Sequence, residues 1–236
     1  MRNFQTVPAL GAFREQRRIF HLISNNLSNA QTVGFKKDDL VFHTILNRSW
    51  DQLQASPTDE VKTLFHQGNV QRTGNELDLA IEGEGFFQIK TPYGMRYTRA
   101  GNFKLNSERQ LVNAEGLPVM GKNGEIIISG QGIAVETDGT IKVDGGEVDQ
   151  IVLVTFPDLD LLKKEGHNLF RLEVPQKEME ANDSRILQGA LESSNVNPIE
   201  EMVNMIDSLR SYESCLKIVQ SQDELDSKAV NDLGRV

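Results

Sequence analysis

Apolar residues near the start of the chain recur at the spacing of an amphipathic helix. Phe13, Phe20 and Leu27 are separated from one another by seven positions each. This spacing places them on one stripe of a helix of about 20 residues. Asn29 and Gly34 follow the stripe. Both residue types tolerate left-handed backbone conformations, so they predict the end of the helix.

A second helix is predicted at the other end of the chain. Asn197 can act as its N-cap, Pro198 suits the first helical position because no N–H is needed there, and Glu200 lies three residues after the cap. The apolar residues that follow keep a three-four spacing, as in the contact stripe of a coiled coil. They are Ile199, Val203, Ile206, Leu209, Leu216 and Val219.

The chain between these helices has the pattern of short strands. Apolar and β-branched runs recur about every ten positions from Leu77 onward, and clusters of Gly, Asn and Asp separate them. Pro92 and Gly94 take the second and fourth positions of a predicted turn over residues 91–94, which would join two strands as a hairpin. Residues 47–66 show no clear period.

These patterns predict an α+β fold. An antiparallel β-rich central domain would be inserted between long N- and C-terminal amphipathic helices that pair in a coiled-coil-like arrangement. We expect an N-terminal helix over residues 1–35, a connector over 36–69, a β-rich domain over 70–185 and a C-terminal helix over 186–236. The first and last of these segments together would form the domain through which the protein assembles.

Charge differs between the two ends of the chain. Residues 1–48 carry seven basic and three acidic side chains, whereas residues 189–236 carry four basic and nine acidic ones. Opposite charge favours pairing of the helices with each other or with copies in neighbouring chains, although both helices could instead dock on the central domain. The net charge of −9 over 236 residues argues against nucleic acid or an acidic membrane surface as a partner.

The sequence contains no recognisable catalytic or cofactor-binding pattern. The four histidines are scattered, and the single cysteine, Cys215, lies in the predicted C-terminal helix without a nearby histidine. Residues 83–87 contain two glycines of a dinucleotide-binding motif, but the third is missing. Glu82 and Glu84 would share one strand face, where solvation explains them better than glycoside hydrolysis does. We therefore expect no enzyme activity, no metal and no cofactor.

Four stretches of the chain resemble the bacterial flagellar rod and hook proteins. In chain order they are NNLSNAQTVGFK (residues 25–36), TGNELDLAIEGEGFF (73–87), YTRAGNF (97–103) and GALESSNVN (189–197). Ser28 and Val33 stand where that family usually has alanine and proline. Hook subunits are typically longer and carry added β-domains. The resemblance is therefore to the flagellar basal-body rod proteins, and it favours the proximal rod protein over the distal rod protein or a short hook-type subunit.

The resemblance implies a structural subunit of the flagellar basal-body rod. Such subunits assemble through their terminal helices into an axial tube that transmits torque for motility. The implied partners are copies of the chain itself, other rod and hook proteins and the flagellar type III export apparatus, and the implied location is the periplasm-spanning rod of the basal body. Export by that route agrees with an N-terminus that lacks the features of a cleaved signal peptide and with the lack of any run of about 18 apolar residues that could span a membrane.

Two other interpretations compete with a rod subunit. A monomeric envelope-binding module predicts an exposed apolar patch, and a wall-cleaving hydrolase predicts a cleft with one strongly raised carboxyl pKa. For a rod subunit, the predicted assembly interface combines the two apolar stripes with the residues at the inner ends of the helices. It comprises Phe13, Phe20, Ile23, Asn25, Asn26, Leu27, Asn29, Gly34, Phe35, Glu192, Ser194, Asn195, Asn197, Val203, Ile206, Leu209, Tyr212 and Leu216.

Overall fold

The chain divides into two compact units. A helical unit is built from both chain ends, up to Ser28 and from Asn197 onward. A β-unit is built from Asn29–Val196. The structure, a computed structural model, describes residues 6–47, 54–181 and 183–233.

Two α-helices form the helical unit within the described residues. Helix α1 spans Thr6–Ser28 and helix α2 spans Pro198–Leu233. The start of α2 confirms the prediction, because Asn197 Oδ1 accepts a hydrogen bond from the Ile199 N–H at 3.2 Å and Pro198 is the first helical residue.

The prediction of an α+β fold with a coiled-coil-like helix pair is wrong. The described residues contain two α-helices and nineteen strands, so most elements are strands and the fold is mainly β. The helices do contact each other, but Asn26 and Glu201, both polar and buried, meet in that contact. Val203 and Ile206 of the predicted α2 stripe are instead 52% and 50% exposed. A coiled coil would insert these apolar side chains between those of the facing helix.

Nineteen strands and one short 3₁₀-helix, over Leu159–Leu161, make up the described part of the β-unit. The strands are β1 Asp38–Asn47, β2 Gln54–Thr63, β3 Val70–Arg72, β4 Leu79–Glu82, β5 Phe87–Thr91, β6 Gly94–Thr98, β7 Lys104–Leu105, β8 Leu111–Val112, β9 Met120–Gly121, β10 Gly124–Glu125, β11 Ile133–Val135, β12 Thr140–Val143, β13 Gly146–Gln150, β14 Val154–Thr155, β15 Leu162–Gly166, β16 Leu169–Leu172, β17 Met179–Glu180, β18 Arg185–Gln188 and β19 Ala190–Glu192.

These strands pair into small antiparallel sheets. The largest has four strands in the order β15-β16-β6-β5, and another has the order β11-β12-β13. Within the four-stranded sheet, β5 and β6 pair up to Thr91 opposite Gly94, which confirms the predicted hairpin turn. β18 pairs with β4, and β19 pairs with β3. The last strands of the β-unit therefore lie beside its early strands.

Two hydrophobic clusters fill the β-unit. The larger cluster consists mainly of aliphatic side chains and includes Leu79, Ile81, Ile89 and Ile141, each almost fully buried. The smaller cluster is largely aromatic, with Phe86 in edge-to-face contact with the Phe170 ring at a centroid distance of 5.8 Å. Both clusters collect residues from strands distant in sequence.

The segment predicted as a connector contains a long hairpin. β1 and β2 pair from Asp38 opposite Thr63 to Asn47 opposite Gln54. The Lys164 ammonium holds the base of this hairpin, because it lies 2.8 Å from Asp38 Oδ2. The hairpin begins at Asp38, two residues after Lys36, which ends the first stretch that resembles the rod and hook proteins.

Candidate functional site

The chain leaves α1 through a tight turn. The Thr32 N–H donates to the Asn29 carbonyl oxygen at 3.0 Å, and the Thr32 hydroxyl donates to Asn29 Oδ1 at 3.2 Å. The Phe35 N–H then donates to the Thr32 carbonyl oxygen at 3.3 Å. Because α1 ends at Ser28 and this turn follows, the helix end predicted from Asn29 is confirmed.

Gly34 brings this turn against the backbone of the β-unit. Its φ angle is +67°, a conformation that favours glycine. A Cβ atom at this position would lie 2.4 Å from the backbone nitrogen of Ala100. The Gly34 N–H donates to the Glu192 carbonyl oxygen at 2.8 Å. A side chain here would separate these backbone segments.

A buried charge cluster, formed by Lys36, Arg99 and Glu192, lies next to Gly34. The Lys36 Nζ is 2.6 Å from Glu192 Oε1, and Arg99 Nη1 is 3.4 Å from Glu192 Oε2. All three side chains are almost completely buried. The Gly68 N–H also donates to Glu192 Oε1 at 2.9 Å. One carboxylate therefore faces two cations in a low-dielectric interior, where the loss of that carboxylate would be costly.

Burial lowers the pKa values of both cations in this cluster. It lowers the pKa of Lys36 below its ordinary value of 10.5, while the Glu192 carboxylate acts in the opposite direction. Burial also lowers the pKa of Arg99, and the carboxylates of Glu192 and then Glu84 oppose it. The Arg99 guanidinium lies over the Phe86 ring at 5.4 Å from its centroid, a favourable cation–π contact.

Asn195 ties the beginning and the end of the β-unit together. Its Oδ1 accepts the Lys37 N–H at 2.6 Å, and its Nδ2 donates to the carbonyl oxygens of Leu64 and His66 at 2.8 and 3.1 Å. Its own N–H donates to the Phe35 carbonyl oxygen at 3.3 Å. Residues 34–37 and 192–195 thus form a junction inside the β-unit.

The signature over residues 73–78 has a structural role of the same kind. Asp78 Oδ2 accepts a hydrogen bond from the Thr73 hydroxyl at 2.6 Å, and Asp78 Oδ1 accepts one from the Asn75 amide at 3.1 Å. The Asp78 carbonyl oxygen accepts the Gly189 N–H at 2.8 Å. These side chains close a turn and fix it to the strand that precedes the junction.

Polar side chains connect α1 and α2. Asn26 Nδ2 lies 3.4 Å from Glu201 Oε2, and both residues are buried. Gln16 Nε2 donates to the carbonyl oxygen and to the hydroxyl of Ser208, at 2.8 and 3.0 Å. Since the higher-numbered residue of α1 meets the lower-numbered residue of α2, the helices run antiparallel. Ile23 of α1 is buried as well.

An apolar face of α2 is exposed to solvent. Ile199 is 73% exposed and Leu209 is 45% exposed, and Met202 is exposed between them. Together with Val203 and Ile206 these residues follow a helical spacing along the first half of α2. We call these five residues the α2 apolar face. An exposed apolar surface of this kind is typical of a contact with another protein.

The predicted assembly residues therefore fall into three environments. Those buried in the β-unit are Gly34, Phe35, Glu192 and Ser194, with Asn29 and Asn195 half-buried. Those of the helical unit with buried or half-buried side chains are Phe20, Ile23, Asn26, Leu27 and Leu216. Those with exposed side chains are Asn25, Asn197, Val203, Ile206, Leu209 and Tyr212. Phe13 belongs to α1, but its side chain lies outside the described residues.

Sequence reasoning missed the partners of several of these residues. Lys36, Arg99 and Asn168 were not predicted as site residues. Lys36 and Arg99 contact the Glu192 carboxylate next to the turn after α1, and Asn168 Nδ2 donates to the Val33 carbonyl oxygen in that turn at 2.9 Å. Lys36 follows the Gly-Phe pair of the first stretch, and Arg99 lies in the stretch YTRAGNF, but nothing in the sequence showed that the two cations share one carboxylate.

This arrangement is suited to holding chain segments together. Within the described ranges, no group of three or more His, Cys, Asp or Glu side chains is arranged to hold a metal ion. Over the same residues, neither helix combines the length and apolar character needed to cross a membrane.

Comparisons with known proteins match almost the whole chain. A family model described as "Flagellar basal body rod FlgEFG protein C-terminal" matches residues 187–233, and one described as "Flagellar hook protein FlgE/F/G D1 domain" matches residues 80–143. The chain is 36% identical to the flagellar basal-body rod protein FlgF of Caulobacter vibrioides, over 93% of this chain and 94% of the relative.

Two further relatives give the same result. The flagellar basal-body rod protein FlgG of Bacillus subtilis is 32% identical over 98% of this chain and 95% of its own length. The protein FlgF of Rhizobium meliloti is 29% identical over 96% of both chains. Because relatives above 30% identity span nearly the full length, the protein belongs to the flagellar basal-body rod family, which consists of structural proteins and not of enzymes.

Proposed function

We propose that this protein, a structural subunit of the bacterial flagellar basal-body rod, assembles by packing its α2 apolar face against the terminal helices of neighbouring rod subunits. The resulting polymer would be the axial tube that transmits torque for motility. The observation that carries this proposal is the exposure of the five apolar side chains on one side of α2.

Burial of this face would contribute favourably to association. Full burial of one large aliphatic side chain stabilises a structure by about 1.5–3 kcal/mol. The α2 apolar face has about half of its side-chain surface still in water, so burying the rest of five such side chains would contribute on the order of 5 kcal/mol per subunit. Repetition along a polymer multiplies this contribution.

Charge supports a neighbouring rod subunit as the partner. The exposed side of α1 carries Arg17 and His21, and exposed acidic residues of α2 include Glu200 and Asp207 beside the apolar face. A basic α1 of one subunit and an acidic α2 of the next attract each other, and this attraction favours a fixed orientation. Burial of the apolar face then supplies the affinity.

Membership of the family supports the finer features of this proposal. The proposed partners are further copies of the chain together with other rod and hook proteins, and the proposed route to the periplasm-spanning rod is the flagellar type III export apparatus. The proposed assembly core of residues 1–35 and 186–236 is centred on α1 and α2, and its inner ends, residues 29–35 and 186–196, belong to the β-unit. The proposed connector (36–69) and β-rich domain (70–185) belong to the same β-unit.

The place along the rod is proposed to be the proximal one. FlgF and FlgG proteins both match over nearly the full chain at similar identities, so the support for this position is the short connector after the first helix. Full-length similarity to rod proteins does not favour a monomeric envelope-binding module.

The test places charge on the α2 apolar face. We expect Val203→Glu combined with Ile206→Glu to abolish motility and rod assembly, because two carboxylates would have to be buried between subunits. The matched control is Asn204→Glu, which adds one carboxylate at an exposed position on another side of the same helix. Basal bodies purified from each strain are inspected by electron microscopy, and circular dichroism of the purified chains checks folding. Normal rods in the double variant would refute the proposal.

A further inference from the structure

The turn between β9 and β10 contains a chemically labile pair of residues. Lys122 and Asn123 form this turn, and Gly121 pairs with Gly124 at its base. Asn123 is the one asparagine of the sequence that is followed by glycine. Glycine has no side chain to shield its main-chain nitrogen, so this nitrogen can approach the side chain of a preceding asparagine. Asn123 is also exposed, so water has access to the same group.

Two steps would convert Asn123 into an acidic residue. In the first step the Gly124 nitrogen attacks the Asn123 Cγ, a bond forms between these atoms and the Cγ–Nδ2 bond breaks. The leaving amide group takes the proton that the Gly124 nitrogen loses, so ammonia is released and a cyclic imide remains. In the second step water opens the imide at one of its carbonyls, which gives aspartate or isoaspartate. Water is the only co-reactant.

The Asp149 carboxylate holds the side chain that would react. Asp149 Oδ1 accepts a hydrogen bond from Asn123 Nδ2 at 3.0 Å and another from the Asn123 N–H at 3.2 Å. The same oxygen accepts the Gln150 N–H at 2.8 Å, and Asp149 is only 7% exposed. The carboxylate is therefore fixed by its own strand, β13, and it fixes both the side chain and the main chain of Asn123.

These contacts oppose the reaction at its start and at its end. To reach the Gly124 nitrogen, the Asn123 carboxamide must leave a charged acceptor, and hydrogen bonds to charged groups are among the stronger ones in proteins. The product would replace the Nδ2 donor by a carboxylate oxygen that faces Asp149 Oδ1 with the same charge. The contact with Asp149 thus stabilises the unreacted amide.

We infer that Asn123 is a site of spontaneous deamidation and that Asp149 restrains the reaction. Asp149 acts as a positioning residue, because it takes part in neither bond change. The inference concerns one turn of the β-unit and goes beyond the proposed function. It does not depend on the α2 apolar face, so the two can fail separately.

The experiment follows the peptide that contains Asn123 while the full chain is incubated at neutral pH. Deamidation replaces –NH₂ by –OH, and tandem mass spectrometry assigns the resulting gain in mass to a residue. We expect this gain to appear at Asn123 about tenfold faster in Asp149→Ala than in the native chain, because the variant lacks the hydrogen bonds that must break. The native chain unfolded in urea is expected to react at least as fast as the variant.

Two control variants separate this effect from others. Glu147→Ala removes an exposed carboxylate from the same strand, and Gly101→Ala destabilises the β-unit at another place. Both are expected to keep the native rate at Asn123. A native rate in folded Asp149→Ala, the same acceleration in Gly101→Ala, or a gain in mass confined to another asparagine would overturn the inference.

A second variant covers the case in which Asp149→Ala does not fold, as judged by circular dichroism. Asp149→Asn keeps the size of the side chain but replaces the charged acceptor by a neutral one, so it is also expected to react faster than the native chain. An unchanged rate in that variant would overturn the inference equally.

Discussion

Replacing members of the buried charge cluster should have strongly unequal effects on stability. Glu192→Gln keeps the size of the side chain but leaves the Lys36 and Arg99 cations without a counter-charge in a site that is almost inaccessible to water. Removing one partner of a buried ion pair typically costs about 3–5 kcal/mol. We expect the Glu192→Gln chain to lose at least that amount, because two cations depend on this carboxylate.

Lys36→Met should cost much less. The variant keeps most of the apolar stem of the lysine and leaves Arg99 and Glu192 as a balanced pair. It loses the hydrogen bonds from Nζ to Glu192 and to the His66 carbonyl oxygen, but it also removes a cation whose burial is unfavourable, as the lowered pKa of Lys36 indicates. These opposing effects leave a net loss of about 1 kcal/mol.

Urea unfolding of the full chain, followed by circular dichroism at 218 nm, measures both effects. For a denaturant dependence of about 3 kcal/mol per M, the expected shifts of the midpoint are about 1 M or more for Glu192→Gln and about 0.3 M for Lys36→Met. Glu136→Gln, which removes a carboxylate from an exposed ion pair with Lys142, is the control and should shift the midpoint very little. An equal or larger loss in Lys36→Met than in Glu192→Gln would refute the reasoning.

Two further predictions concern other sites in the β-unit. Gly101→Ala should destabilise the chain by about 3 kcal/mol or more in the same urea assay, because a Cβ atom there would lie 1.6 Å from the Leu79 carbonyl oxygen. The control is Gly146→Ala, where the nearest atom would be 3.6 Å from the Cβ, and it should change stability by less than about 0.5 kcal/mol. Equal losses of stability in the two variants would contradict the close approach at Gly101. Burial, and then the hydrogen bond to Glu178, raise the pKa of Tyr97 above its ordinary value of 10.0. The folded chain therefore holds this proton more tightly than the unfolded chain, and the stability that Tyr97 contributes is present below pH 10 and is lost as the pH rises above it. Comparing urea midpoints of the native chain and Tyr97→Phe between pH 9 and 11 should show a steeper fall in the native chain, and parallel falls would count against the shift.

Local sequence signals were reliable where neighbours in the chain make the contacts. The cap at Asn197, the end of α1 before Asn29 and the turn over residues 91–94 each depend on hydrogen bonds or backbone preferences within a few positions. The β1–β2 hairpin was missed because its residues gave no clear alternation in the sequence. Its base is fixed by Lys164, which is distant in the chain.

The sequence was enough to recognise the signature stretches but not to assign the role of each residue in them. Residues 25–36 and 189–197 indicated the family, and the full-length relatives show it. The sequence analysis placed Gly34 and Glu192 in an assembly interface, and that role stays a prediction. In the structure the Gly34 N–H donates to the Glu192 carbonyl oxygen inside the β-unit. Residue type alone does not distinguish these roles, because a buried polar group needs a hydrogen-bond partner, and that partner can belong to the same chain or to a neighbouring subunit.

By itself, the sequence determined where α1 ends and where α2 begins, that short strands lie between them, and to which family the chain belongs. These properties depend on periodicity, capping and residue order, all of which are local. Only the tertiary structure decided that Lys36, Arg99 and Glu192 share one buried site, and that α2 turns Glu201 toward α1 while its apolar face remains in water. The physical reason is that burial is set by contacts between segments far apart in sequence, and a helical stripe specifies a face without specifying what covers it.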